Sequence, residues 1–186
     1  MESLKLYMIM LGCKPAGRHT EQHDIFFTLA TSLKETIPHV KAFWPEVKDK
    51  VHLDAWREVT NVDGYQIRVV PKTTEDAENK LFFINLGGYR AGEFDEPHYK
   101  LLVVAPDLGS ATKQAKKSAF FKHTGIPGAT AHIDDKYGVD VDDIYKIEDI
   151  LPVNFRENYS LSIQPVAELP EDEIHLGYFK LKTILG

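Results

Sequence analysis

The sequence predicts an α+β fold of two tandem ββαβ-type repeats, related by a pseudo-two-fold axis in one compact body, with extra C-terminal strands. Three observations predict it. Residues Lys5–His23 recur at Lys80–His98 with nine identities in nineteen positions, where ordinary residue frequencies give about one. Each copy opens on an apolar run, Leu6–Leu11 or Leu81–Leu86, too short and too rich in aromatic and β-branched residues for a helix. Each then runs through a Gly-containing loop and a second apolar strand into a stretch of helical period. The repeats are placed at 1–71 and 80–152, and residues 153–186 complete the sheet.

The elements follow in order. Second strands are read at Ile25–Ala30 and Tyr99–Ala105. In copy one Leu33, Ile37, Val40 and Trp44 keep a helical period. Pro38 breaks it and starts a second turn, because proline lacks an N–H and crowds the preceding turn. In copy two Ser110 reads as an N-cap, and Ala111, Ala115 and Ala119 share one face. A third strand covers His52–Val59, and Asp63-Gly64 turns the chain into Tyr65–Val70.

The internal match slips as it proceeds. Ala42-Phe43 aligns with Ala119-Phe120, and His52-Leu53-Asp54 with His132-Ile133-Asp134. Asp63, Tyr65 and Ile67 then align with Asp143, Tyr145 and Ile147. The insertions are placed near Asp107–Gly109 and Thr124–Gly128, where Gly and Pro tolerate them. Polar Pro71–Asn79 separates the copies. Two further strands are read at Tyr159–Val166 and His175–Leu185, joined by the acidic loop Leu169–Glu173.

With 186 residues, 43% hydrophobic and 27% charged, the chain can bury a sizeable core without metal or disulfide staples. A net charge of −6 argues against nucleic acid or an anionic membrane as the main partner. Lys113, Lys116, Lys117 and Lys122 read as the solvated face of a helix. Cys13 is the only cysteine, so no intramolecular disulfide forms, which fits a reducing compartment. No basic leader and no apolar run of ~18 residues is present. The expectation is a cytoplasmic protein, a homo-oligomer, with no nucleic-acid or membrane partner and an unknown small-molecule ligand.

The residues retained in both copies are the site candidates. Gly12, Gly17, Gly87 and Gly92 punctuate the first loops. They are read as turn formers, with Gly12 and Gly87 expected in backbone conformations costly for other residues, rather than as an anion cradle, since no P-loop or dinucleotide fingerprint surrounds them. Glu21-x-His23 and Glu96-x-His98 precede the second strands, and His52-x-Asp54 and His132-x-Asp134 open the third. Residues i and i+2 share a strand face, so if these strands are neighbours each copy gathers one Glu, one Asp and two His. That set can bind a divalent metal. Equally, the carboxylates can serve as turn acceptors and the histidines as half-buried polar residues. Cys13 has Gly88 opposite it in copy two, so a chemistry shared by both copies does not use the thiol.

The Leu-Gly loops, the Glu-x-His pairs and the segment His52-Leu53-Asp54-Ala55-Trp56 with Val62-Asp63-Gly64-Tyr65 resemble the bacterial family called "domain of unknown function 1543". The resemblance covers about Lys5–Pro71 and Lys80–Pro152. It implies one or two copies per chain, a bacterial cytoplasmic protein and no established activity. Copy two departs from copy one at Gly88 against Cys13 and Lys136 against Trp56. The functional expectation is a non-enzymatic binding or assembly module. The alternative is a metal-dependent enzyme, a hydrolase, that uses the Glu/His and His/Asp pairs.

Overall fold

A computed structural model describes residues 3–75, 77–88, 92, 94–117, 132–133 and 138–185. The chain divides into two units, Met1–Glu75 with Ile150–Gly186, and Asp76–Asp149. Both mix antiparallel sheet with helix, so the fold is α+β.

The first unit is organised around β1 (Lys5–Cys13). It pairs antiparallel with β2 (Gln22–Ala30) on one side and β3 (His52–Glu58) on the other. Alternation along β1 sends Tyr7, Ile9, Leu11 and Cys13 into a core with Phe26, Val40, Leu53 and Leu181. Burying one such aliphatic or aromatic side chain contributes about 1.5–3 kcal/mol. The even residues, Gly12 among them, face the other way.

Pro38 acts as its position predicts. A 3-10 turn at Leu33–Thr36 gives way to α1 (Ile37–Phe43), with the proline in the first helical turn where no N–H is needed. The Asp63-Gly64 turn also forms. Both residues have positive φ, 53° and 79°, and they join β4 (Asn61–Val62) to β5 (Tyr65–Pro71).

In the second unit β6 (Lys80–Gly88) lies between β7 (His98–Ala105) and β9 (Gly138–Lys146), antiparallel to both. The two-residue β8 (His132–Ile133) runs parallel beside β9. Helix α2 (Leu108–Lys116) buries Ala111 and Ala115 against Phe82, Ile84 and Leu86. Its cap is Asp107 rather than Ser110: Asp107 Oδ1 accepts from the Ser110 N–H at 2.8 Å. A carboxylate three residues upstream outcompetes the serine, which becomes its donor. Ala119 and Lys122 lie outside the described residues.

Short helices α3 (Ile147–Ile150) and α4 (Val153–Asn158) lead to β10 (Tyr159–Pro165), which pairs with β5. β11 (His175–Lys180) pairs with β3 and forms the edge of the sheet β11-β3-β1-β2. The C-terminal strand is shorter than the sequence suggests. It stops at Lys180, and Leu181–Leu185 form α5. Leu181 and Ile184, one helical turn apart, pack into the first unit's core. No described helix is long and apolar enough to cross a membrane.

One expected correspondence is corrected by strand register. Gly12 pairs with His23 and His52. Gly87 pairs with His98 and with Asp140. The partner of β6 therefore begins several residues beyond His132, and Asp140, not His132, occupies the register position of His52. The alignment of Tyr65 and Ile67 with Tyr145 and Ile147 fails for the same reason: β5 pairs with β10, whereas Tyr145 pairs with Phe83 of β6.

Candidate functional site

Three strands converge on Gly12. His23 is its partner on β2 and His52 its partner on β3, so both imidazoles rise from the same sheet face as the missing Gly12 side chain. Asp54 joins them through a bulge. Leu11 pairs with Leu53 but Met10 with Ala55, leaving Asp54 as the extra residue. Glu21 sits just before β2 and reaches across.

The four side chains close a ring. His52 Nε2 lies 3.0 Å from Glu21 Oε1 and 3.2 Å from Asp54 Oδ1. His23 Nε2 lies 3.2 Å from Asp54 Oδ2 and 3.8 Å from Glu21 Oε2. Each carboxylate thus divides its oxygens between the two rings. His52 is buried, with 4% of its side chain exposed, whereas those of Glu21 and His23 are 41% and 44% exposed.

The buried half is unsatisfied. Neither ring nitrogen of His52 makes a hydrogen bond, and neither does Asp54 Oδ2. The two oxygens near Nε2 are close but not aligned for a hydrogen bond. Buried polar atoms almost always find partners, so such a group calls for an explanation. The Tyr178 ring, its centroid 3.9 Å from that of His52, covers the imidazole from β11.

Gly12 makes this proximity possible. A Cβ there would overlap Asp54 Oδ2 and come within 2.6 Å of His52 Nε2. The expectation that Gly12 and Gly87 hold special backbone conformations in loops is corrected. Both lie within strands, and the positive φ values belong to Gly17 and Gly92, at 78° and 84°.

The second unit repeats part of the arrangement. His98 Nε2 stands 3.8 Å from Glu96 Oε2. The Asn85 side-chain amide donates to Asp143 Oδ2 at 3.3 Å and lies 3.1 Å from His98 Nδ1. The bulge recurs as well, between Asn85 and Leu86, so Asp142 takes the register position of Asp54. His132 stands in β8, paired with Gly138 rather than with β6, and Asp134 lies outside the described residues. Among the described residues, no three or more His, Cys, Asp or Glu are placed, as they stand, to hold a metal ion together.

Two clefts flank Trp56 and Glu58 of β3. One of about 480 Å³ includes Ser3, Lys5, Tyr7 and Ser32, and one of about 330 Å³ includes Thr60, Asp172 and His175. Trp56 is stacked on His175 with ring centroids 3.8 Å apart and packs against the core, so its ring is already engaged. Cys13 is buried, and that burial pushes its thiol above the usual range, away from a reactive thiolate.

Residues 18–69 match the family model of a Domain of Unknown Function, DUF1543. All four side chains of the ring fall inside that stretch. The DUF1543 match is to one stretch of the chain, where the sequence led us to expect two. The crystal structure of protein Il1583 from Idiomarina loihiensis is similar, with a TM-score of 0.63, 24% identity, and 96% of this chain and 97% of that chain covered. At that identity the likeness is one of fold. No curated protein matches the chain.

Proposed function

We propose that the first unit is a binding module for a divalent cation, held by Glu21, His23, His52 and Asp54. The observation that carries this reading is the unpartnered, buried Nε2 of His52, flanked by a carboxylate oxygen on each side. Two donors on one tetrahedral zinc stand about 3.3 Å apart, given metal–ligand distances near 2.0–2.1 Å. The nitrogen–oxygen separations of the ring, 3.0 to 3.8 Å, bracket that value. What separates the ring from a coordination shell is that each carboxylate bridges both imidazoles. A rotation of Glu21 and Asp54, turning one oxygen of each inward, converts one into the other.

Charge supports the same reading. With neutral rings, two carboxylates share a small, partly dry space, and a divalent cation neutralises them without protonating either imidazole. A two-nitrogen, two-oxygen set suits zinc and other first-row divalent ions. We read the two units as copies of one element in which the second has replaced His52 by Asp140. The lone buried thiol accords with a reducing, cytoplasmic setting.

The test is metal analysis of the purified protein, followed by thermal unfolding with zinc and with chelator. Binding predicts stoichiometric metal and a melting temperature that chelator lowers. If the melting temperature is indifferent to both additions and the histidines titrate as an ion-paired cluster by NMR, the reading fails.

A further inference from the structure

Away from the four-residue ring, β11 stands out. It is the edge strand of its sheet, and among the described residues β3 is its only strand partner. Leu176 and Tyr178 of the strand and Ile174 just before it are apolar and 75%, 62% and 59% exposed. Soluble proteins ordinarily blunt such an edge with charge or cover it. Here the charges stand at the two ends. Glu171, Asp172 and Glu173 precede the strand, Lys180 ends it and Lys182 follows in α5.

We propose that β11 pairs antiparallel with β11 of a second copy of this chain, about a two-fold axis near Leu176. The order of charges selects this partner and this direction. An antiparallel copy brings Glu171 and Glu173 of each chain to the end of the other that carries Lys180 and Lys182. A parallel copy would place like charges together. The apolar residues are self-complementary about the same axis: a pairing centred on Leu176 brings Ile174 of one chain opposite Tyr178 of its mate and Leu176 opposite itself. The centre of the apolar residues and the centre of the charge pattern fall within one residue of each other. This is the isologous geometry that a two-fold dimer requires, with main-chain hydrogen bonds supplying affinity and cross-strand pairs fixing register.

Two features of β11 fit this role. The pairing of the strand with β3 shifts register between Leu176 and Phe179, next to the proposed two-fold axis. Gly177, at φ 149°, accommodates the shift where a side chain would press on the Phe179 ring. The same shift carries Tyr178 over His52. The dimer does not depend on any cation being bound.

Charge reversal followed by sedimentation tests the pairing. The wild-type chain is expected to sediment as a dimer. The variants E171K/E173K and K180E/K182E are each expected to sediment as monomers, with circular dichroism showing that they remain folded. Mixing the two variants is expected to restore a dimer, because each junction then joins opposite charges. Leu176→Glu is expected to abolish dimers in every combination. A wild-type chain that stays monomeric at its highest soluble concentration overturns the proposal, as do reversed variants that dimerise unmixed as well as the wild type does.

Discussion

Gly12 lies beneath His52, so close that any side chain at residue 12 would meet His52 Nε2 at 2.6 Å. The glycine is required by its neighbours and not by its own dihedrals, because β1 is regular there. Gly12→Ala is therefore expected to displace the His52 and Asp54 side chains and to cost about 1–3 kcal/mol, the range for overpacking a filled site. Gly17→Ala is a useful contrast: its φ is 78° with nothing near a new Cβ, so it should cost about 1 kcal/mol from backbone strain alone and leave the imidazole signals in place. Denaturant melts and histidine NMR shifts of the two variants separate the mechanisms. Equal shifts in both would contradict the steric account.

His39 gives the first unit a pH dependence of its own. Its Nδ1 lies 3.0 Å from Oγ1 of the fully buried Thr28, and Phe155 meets the ring edge-on. Burial holds its pKa below the ordinary 6.5, with Glu35 partly opposing the shift. A depressed pKa means that the unfolded chain takes up the proton first. The stabilisation is thus complete above about 6.5 and is lost as pH falls through the folded-state value. His39→Gln is expected to flatten the fall in unfolding free energy across that window. A variant with the same slope as the wild type would place the pH dependence elsewhere.

Much of this was legible in the sequence, and the errors share a cause. Short apolar runs marked β1, β2, β6 and β7, and Pro38 and Asp63-Gly64 marked local backbone chemistry that holds whatever surrounds it. Glu21, His23, His52 and Asp54 were visible as pairs because i and i+2 share a face. The second unit's third strand was misplaced because His132-Ile133-Asp134 imitates His52-Leu53-Asp54 locally, whereas strand pairing is decided by long-range register. There Val141 fills the place of Leu53 opposite Leu86. Gly12's steric role and Tyr178's position over His52 depend on strands far apart in sequence, and no local pattern announces them.

The helical end of the C-terminal segment offers a stability test. Leu181 is buried in the first unit's core, where an unbroken strand over His175–Leu185 would not need it. Leu181→Ala is expected to cost about 2–5 kcal/mol, as for other buried leucines. Leu176→Ala, at the exposed edge, should change the intramolecular stability by about 0.5 kcal/mol or less. Unfolding measured at a concentration where the chain is monomeric keeps the two effects apart. Comparable losses at both positions would argue against the strand-to-helix break at Lys180.

His52 and His23 should differ in what their loss does. Both face the same two carboxylates, so replacing either imidazole removes a donor. His52→Ala and His23→Ala are each expected to weaken cation binding at least tenfold, about 1.4 kcal/mol or more. Their effects on the cation-free protein diverge. His52 is buried against Tyr178 and sits over Gly12, so its removal opens a cavity and takes away the imidazole beside Asp54 Oδ1 and Glu21 Oε1. That combination should cost the folded state about 2 kcal/mol or more. His23 is nearly half exposed, and its loss should stay within about 0.5 kcal/mol. Protons compete with the cation for the same imidazoles and carboxylates, so wild-type affinity should fall as pH is lowered, with a shallower slope in either variant. Calorimetric titration with zinc at several pH values, paired with chelator-treated melts, reads both quantities. A His23 variant that binds zinc as tightly as the wild type would reduce the site to the His52–Asp54–Glu21 side of the ring.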